Sequence, residues 1–176
     1  MMVILPYWFL LPQVMQQQYG YSALQAGLAF LPLSITTFLS ALQLPRLTKA
    51  FGNNRVLMIG EFALIAGFIL SFFANVENGY LRAVLPGMLL IGLGSAFVVA
   101  PVTNAGIYKT RDAVAGSASG LTNAMHQIGG PIGLSIIMDA SSQYHLQVGW
   151  MLGFTIVSTI LVYVLIYQKG RMADLK

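Results

Sequence analysis

The chain has 176 residues, of which 57% are apolar and only 8% are charged. A soluble domain of this length has too small a core to bury so much apolar surface, and a disordered chain has the opposite composition. The nine Lys and Arg residues give a net charge of +4, but they are scattered, which argues against nucleic-acid binding. The lack of cysteine excludes disulfides and cysteine-ligated metals. Lipid is therefore the solvent that fits this composition.

Long runs without charge predict an all-α membrane protein with six spans. A transmembrane helix needs roughly 20 mainly apolar residues, and the roughly ten-residue alternating segments of a membrane barrel are missing. We expect one six-helix domain over residues 1–176. Its predicted spans, in chain order, are Met1–Gln17, Ser22–Leu44, Val56–Ala74, Ala83–Gly106, Ala113–Met138 and Val148–Gln168.

The first of these spans is short, because its apolar run from Met1 to Met15 ends in three glutamines. A signal peptide is the alternative interpretation. It fails because the segment has neither a basic leader nor a small-residue cleavage site. We interpret the segment as a helix whose N-terminal part is missing.

The distribution of Lys and Arg predicts the orientation. Eight cations fall on one side of a six-helix chain, and only Arg82 falls on the other. Positively charged loops stay cytoplasmic, so both termini are expected in the cytoplasm. The eight residues are Arg46, Lys49, Arg55, Lys109, Arg111, Lys169, Arg171 and Lys176.

Three stretches carry a family resemblance. They are GYSALQAGLAFLP at Gly20–Pro32, FGNNRVL at Phe51–Leu57, and AGSASGLTN at Ala115–Asn123 followed by HQIGG at His126–Gly130. Together they resemble the C-terminal half of major facilitator superfamily transporters, most closely the fourteen-helix drug:proton antiporters of EmrB/QacA type. The resemblance implies a bacterial cytoplasmic membrane protein.

The resemblance also implies that helices one, two, four and five of the half face a cavity, while three and six are peripheral. It places a gating loop after the second helix, where the family motif is roughly G-x-x-x-D-R-x-G-R-R. Lys49 stands at the acidic position of that motif, Gly52 is kept, and Arg55 lies just beyond the two asparagines that replace the basic pair. Family members have twelve or fourteen helices, so this chain is either a fragment of a longer protein or a half that must pair with another half. We expect a fragment, whose partner is the missing N-terminal half.

The fifth span contains a polar stripe. Ser119, Asn123, His126, Gln127 and Gly130 recur at three- and four-residue spacing, which places them on one helix face. His126 lies roughly 20 Å from Ala113 along the helix, near the middle of the membrane. Such groups face a bundle interior or a wet cavity, which predicts a substrate-binding stripe of Asn123, His126 and Gln127. His126 is also a proton-coupling candidate. The alternative is interhelical hydrogen bonding with a neutral histidine.

Further polar residues lie in the first two spans. Thr36 and Ser40 share a face of the second span, and Gln13 lies beside a proline in the first. All three are substrate-binding candidates. The alternative for the hydroxyls is a hydrogen bond to their own backbone or to a neighbouring helix.

Small residues and prolines predict close packing and kinks. Glycine lets helix backbones approach each other, and proline removes a backbone donor. The predicted kink and packing residues are Pro32, Gly92, Gly94, Pro101, Gly116, Gly120, Gly129 and Gly133. Flexing of these helices during transport is a compatible interpretation.

Glu61 is the one carboxylate well inside a span. An intramembrane acid is a proton-relay candidate. Because Glu61 lies about 9 Å from Arg55 along the helix, on a span that the resemblance makes peripheral, we expect its side chain to reach the cytoplasmic interface or to pair with a loop cation. The coupling acid is then expected in the missing half.

These observations predict proton-coupled efflux of small amphipathic organic compounds by alternating access. The partners are lipid, protons, the substrates and the missing half. Neither a cofactor nor a metal is expected, and no catalytic motif indicates an enzyme. The alternative is a non-transporting membrane interaction or regulatory half-protein, or an inactive truncated product.

Overall fold

A computed structural model describes residues 1–106, 112–140 and 142–167. The described part of the chain is helical. The α-helices are α1 (Ile4–Tyr19), α2 (Ala23–Phe51), α3 (Asn53–Phe73), α4 (Tyr80–Ala83), α5 (Leu85–Gly106), α6 (Asp112–Ala140) and α7 (Tyr144–Val162), with a 3-10 turn at Val76–Asn78 and a π-helical turn at Tyr163–Tyr167. The loop cations Lys109 and Arg111, and the tail cations Lys169, Arg171 and Lys176, lie outside the described residues.

Short capping sequences set the first helix boundaries. Gly20 adopts a φ of 65° and ends α1, a backbone conformation that glycine tolerates without strain. Ser22 then starts α2 with a capping box: its hydroxyl accepts from the Gln25 amide at 3.3 Å, and the Gln25 side chain accepts from the Ser22 amide at 2.9 Å. These two devices produce the tight turn between α1 and α2.

The junction between α2 and α3 differs from the predicted bounds. The prediction ended the second span at Leu44 and began the third at Val56, whereas α2 continues to Phe51 and α3 begins at Asn53. Only Gly52, with a φ of 83°, separates the two helices. The charged residues mark where the apolar run ends, but Arg and Lys are good helix formers, so the helix extends beyond it.

Helix α3 is the centre of the packing. It contacts α5 along most of its length and α7 on another side, while α2 packs on α5 and α1 packs on α6. The largest fully buried side chains come from these interfaces and include Tyr7, Leu64, Phe68, Met88 and Ile91. The ring of Tyr7 meets that of Phe68 edge to face, with centroids 5.7 Å apart.

Paired glycines bring α3 and α5 together. A Cβ added at Gly94 would lie 2.8 Å from the carbonyl oxygen of Gly60, and one at Gly67 would lie 3.0 Å from that of Gly87. Such distances leave no room for a side chain, so the two backbones touch at both points. The predicted packing role of Gly94 matches this geometry. Gly60 and Gly67, the two glycines on α3, were not among the predicted packing residues.

In the described part of the chain, four helices are long and apolar enough to cross a membrane: Ala23–Phe51, Asn53–Phe73, Leu85–Gly106 and Tyr144–Leu165. Two of the six predicted spans are not among them. Helix α1 has 16 residues, and α6 carries a polar stripe that lowers its hydropathy. Crossing of the membrane by α1 and α6 therefore stays a prediction.

Candidate functional site

The predicted substrate-binding stripe lies on an open face of α6. Asn123 and Gln127 are exposed, and His126 is partly buried. Among the described residues, none donates or accepts a hydrogen bond with these three side chains. Gly116 and Gly120 precede Asn123 on the same face at helical spacing. The stripe thus presents amide and imidazole groups that are available for a ligand.

A second face of α6 packs on α1. A Cβ added at Gly133 would collide with the backbone of Met2, and one at Gly129 would lie 3.5 Å from the Met2 side chain. In contrast, a Cβ at Gly116 or Gly120 would have no neighbour within 4 Å in the described part of the chain. Gly129 and Gly133 therefore lie against α1, whereas close packing at Gly116 and Gly120 stays a prediction. Glycine spacing shows that a helix face is smooth, but not that another helix reaches it.

The threonine hydroxyl groups of α2 form hydrogen bonds with backbone carbonyl groups. Thr36 donates to the Pro32 carbonyl at 2.7 Å. Its neighbour Thr37 has contacts with the carbonyls of Leu33, at 2.9 Å, and of Gly92 on α5, at 3.1 Å. The geometry at Thr36 agrees with the backbone-bonding alternative.

The remaining candidates on α1 and α2 have separate surroundings. Ser40 is buried at the edge of the α2–α5 contact, and Gln13 is half-buried on α1. Within the described ranges no hydrogen bond connects either residue, or Thr36, with the stripe on α6. Asn123, His126 and Gln127 thus share one helix, and no hydrogen bond among the described residues joins them to the other three candidates.

The predicted gating loop is a single-residue hinge. Gly52 forms it, and Lys49 and Arg55 are exposed on either side. Lys49 lies in the last turn of α2, where a positive charge stabilises the helix dipole.

Two asparagines that sequence reasoning did not select make the polar contact at this end. The Asn53 side chain donates to the Pro101 carbonyl of α5 at 2.9 Å, and Asn104 donates to the Asn53 side chain at 3.4 Å. The signal for Asn53 was its place in the pair of asparagines at the basic positions of the family motif, and Asn104 lies outside that motif. The contact ties the beginning of α3 to the end of α5, close to the proline predicted to kink it.

Glu61 does not reach the interface, contrary to the prediction. Its side chain is only 1% exposed. The Ser158 hydroxyl donates to Oε1 at 3.0 Å, and the Thr159 hydroxyl lies 3.1 Å from Oε2. Neither Arg55 nor any other described cation forms an ion pair with it. The side chain points to α7, where two hydroxyl groups provide the hydrogen bonds that water or a cation would otherwise supply.

Comparison with known proteins identifies the family of this chain. The family model described as Major Facilitator Superfamily matches residues 1–134. The chain belongs to this superfamily. The resemblance found in the sequence motifs is thereby confirmed, and the chain is an integral membrane protein.

Several export and resistance proteins of this superfamily are similar to the chain. It is 33% identical over 134 residues to the cephamycin export protein CmcT of Amycolatopsis lactamdurans, covering 76% of this chain and 28% of that protein. It is 27% identical over 175 residues to the lincomycin resistance protein of Streptomyces lincolnensis, covering 94% of this chain and 36% of that protein. It is 31% identical over 126 residues to the quinolone resistance protein NorB of Staphylococcus aureus, covering 69% and 26%.

The matched region covers about a third of each of these superfamily relatives. No solved structure matches the chain. In the part of the chain that the structure describes, no three His, Asp or Glu side chains lie close enough together to hold a metal ion.

Proposed function

We propose that the protein is part of a proton-coupled exporter of small amphipathic organic molecules, working by alternating access. The observation that carries this proposal is the set of names of its relatives, which are described as export or resistance proteins for cephamycin, lincomycin and quinolones. The compounds in these names differ in chemistry, so what the names share is export of, or resistance to, organic compounds. The substrate of this chain is proposed only at the level of that class.

The open stripe on α6 suits such substrates. The stripe can form hydrogen bonds through Asn123, His126 and Gln127, and it carries no charge while the histidine is neutral. None of these three side chains forms a hydrogen bond with a described residue. A few polar groups in a largely apolar wall set the orientation of a ligand and accept varied shapes. We assign the stripe to the substrate pathway, with Gln13, Thr36 and Ser40 as further lining candidates on α1 and α2.

A second half of the transporter would supply the opposing wall of that pathway. The chain spans about a third of the length of its relatives, and the superfamily mechanism moves two halves against each other. In this proposal, α6 faces the other half with its exposed side, which carries Gly116, Gly120, Asn123 and Gln127. The helices would flex during transport near Pro32, Gly92 and Pro101. The proposed gating loop consists of Lys49, Gly52 and Arg55.

A drug-export assay tests the proposal. The complete protein is expressed in a bacterial host without its own efflux pumps, and ethidium accumulation and growth inhibition by antibiotics are measured. Asn123→Ala, His126→Ala and Gln127→Ala should each reduce export by about tenfold where a ligand hydrogen bond of about 1.4 kcal/mol is lost. Ser135→Ala is the matched control, because Ser135 is exposed on another face of α6, beside Ile128 and Ile132.

The outcomes separate the proposed functions. Lower export in the three stripe variants, with normal export in Ser135→Ala, supports a substrate role for the stripe. Equal export in all four variants contradicts that role. If the complete protein does not lower ethidium accumulation at all, the transporter proposal fails, and the non-transporting interaction or regulatory half-protein replaces it.

The proposed orientation places both termini in the cytoplasm of a bacterial cell. Because the chain has no cysteine, single cysteines introduced into it report on one position each. In whole cells, a membrane-impermeant maleimide should label Arg82→Cys and leave Lys49→Cys unlabelled until the membrane is broken. The reverse pattern would show the opposite orientation.

A further inference from the structure

Among the described residues, Glu61 is held between two helices by hydroxyl groups alone. It lies in α3, is 1% exposed, and meets Ser158 at 3.0 Å and Thr159 at 3.1 Å, both on α7. A buried carboxylate normally requires a cation or a metal to offset its lost hydration. Among the described side chains none provides that charge here. The arrangement therefore suits a group that exchanges a proton.

The number of hydrogens in the cluster defines two arrangements. The Thr159 hydroxyl has one hydrogen, but its oxygen lies 3.1 Å from Oε2 of Glu61 and 2.9 Å from the carbonyl oxygen of Thr155. If Glu61 is ionised, Thr159 donates to Oε2. If Glu61 is protonated at Oε2, its O–H donates to Thr159, and Thr159 donates to the Thr155 carbonyl. Rotation of one hydroxyl thus satisfies both states, while Ser158 donates to Oε1 in each.

We propose that Glu61, Ser158 and Thr159 form a proton-binding site between α3 and α7, and that this site takes up and releases the proton exchanged during drug export. The coupling part rests on the function proposed above, and the proton-binding part does not. One proton adds to Oε2 of the carboxylate, the charge changes from −1 to neutral, and no other group is consumed. Ser158 and Thr159 are positioning residues, and the proton is the ligand.

Other ionisable groups near the site do not replace Glu61 in this role. The described part of α5 has no charged or titratable side chain facing it, and its closest approach is backbone to backbone through Gly60 and Gly94. The amino group of Met1 acts electrostatically on Glu61, but it is an uncharged peptide nitrogen wherever another residue precedes it. Among the side chains that the structure describes, the remaining ionisable groups on elements packed against α3 are Arg46 and Lys49 at the end of α2, Tyr7 and Tyr19 on α1, Tyr144 and His145 at the far end of α7, and Tyr163 after it.

Infrared difference spectroscopy tests proton binding directly. The complete protein is reconstituted in lipid and titrated between acidic and alkaline buffer, in water and in deuterium oxide. We expect the carbonyl band of a protonated carboxylic acid that appears and disappears with pH. Glu61→Gln should remove this band, whereas Glu77→Gln, which changes an exposed carboxylate in the turn before α4, should keep it. A titrating band that is unchanged in Glu61→Gln would overturn the proposal.

Changes at Thr159 test the positioning role. Thr159→Val keeps the shape and removes the hydroxyl, so the band should shift in frequency and in titration midpoint. Thr159→Ser restores the hydroxyl and should restore both. An unshifted band in Thr159→Val would show that the hydroxyl does not position the acid. Because these variants conserve size, they also provide a test if Glu61→Gln fails to fold.

Transport assays distinguish proton binding at Glu61 from the coupling of that proton to drug export. In vesicles, ethidium uptake driven by a pH gradient should fall at least tenfold in Glu61→Gln, while ethidium exchange without a gradient should continue. Equal gradient-driven uptake in Glu61→Gln and wild type would overturn the coupling role. If wild type transports no ethidium but shows the Glu61 band, the proton-binding site stands and the proposed function fails.

Discussion

The contact between α3 and α5 and the open face of α6 use the same residue type in opposite ways. In the first, Gly60 faces Gly94 and Gly67 faces Gly87, and added Cβ atoms would lie 2.6–3.0 Å from neighbouring atoms at Gly60, Gly67 and Gly94. On α6, Gly116 and Gly120 lie four residues apart on one helix face, and a Cβ added at either would have no neighbour within 4 Å in the described chain. Glycine spacing therefore marks a surface that another helix can approach, and the tertiary structure decides whether one does.

The largest expected effect comes from filling the α3–α5 contact. Gly67→Val places its Cβ 2.6 Å from the Ile91 side chain and 3.0 Å from the Gly87 carbonyl, so the helices must separate. We expect a loss of roughly 1–3 kcal/mol of folding free energy, or more, from overpacking. Thermal unfolding of the purified chain in detergent, and its elution as a single species, measure this loss.

The matched variant is Gly120→Val on the open face of α6. It should change the stability of the 176-residue chain by less than about 1 kcal/mol, which reflects only helix propensity. Equal destabilisation by the two variants would contradict the comparison. The same Gly120→Val change in the complete protein would sharpen it, since a loss of stability there indicates that a second half covers this face.

A smaller effect is expected at the polar end of the α3–α5 contact. Asn53→Ala removes the donor to the Pro101 carbonyl, which lies 2.9 Å away, and should cost roughly 0.5–1.5 kcal/mol. Asn54→Ala is the control, because the Asn54 side chain has no hydrogen bond to a described residue. The free energy of unfolding in a denaturant titration measures both. A larger effect at Asn54 would show that the contact does not stabilise the hinge.

The smallest expected effect is at Tyr80, in the connection between α3 and α5. Its hydroxyl donates to the Ala29 carbonyl at 2.7 Å, and burial raises its pKa from the ordinary value of 10.0. Tyr80→Phe should cost up to about 1 kcal/mol at neutral pH. Because the folded state favours the protonated phenol, this difference between wild type and variant is fully present below pH 10 and should vanish as pH rises through the higher pKa of the folded state.

The control for this prediction is Tyr21→Phe, whose hydroxyl has no hydrogen bond to a described residue. Thermal unfolding measured at several pH values up to the alkaline range checks the sign. A Tyr80→Phe deficit that grows with pH would contradict the assigned hydrogen bond.

Much of the helical framework was predictable because apolar runs and turn residues are local signals. The run at Val56–Ala74 predicted a helix observed at Asn53–Phe73, and Gly20 with Ser22 marks the turn before α2. The extension of α2 to Phe51 was missed, because hydropathy identifies the apolar part of a helix rather than its end.

The candidate site was predictable in part. The open polar face with Asn123 and Gln127 follows from helical spacing on α6 alone. The hydrogen bonds of Asn53 were missed, because the sequence does not show that the Pro101 carbonyl lies opposite it. The closed surroundings of Glu61 were missed for the same reason, since Ser158 is 97 residues away along the chain.

Composition, the distribution of charge and three short motifs determined by themselves that this chain is a helical membrane protein of the Major Facilitator Superfamily. These properties depend on residue type and on spacing within one helix, which the sequence states directly. Only the tertiary structure decided that Gly67 touches Gly87 while Gly116 touches no described residue, and that Glu61 faces two hydroxyl groups instead of water. Such contacts depend on which helix packs against which face, and this follows from the balance of packing over the whole chain.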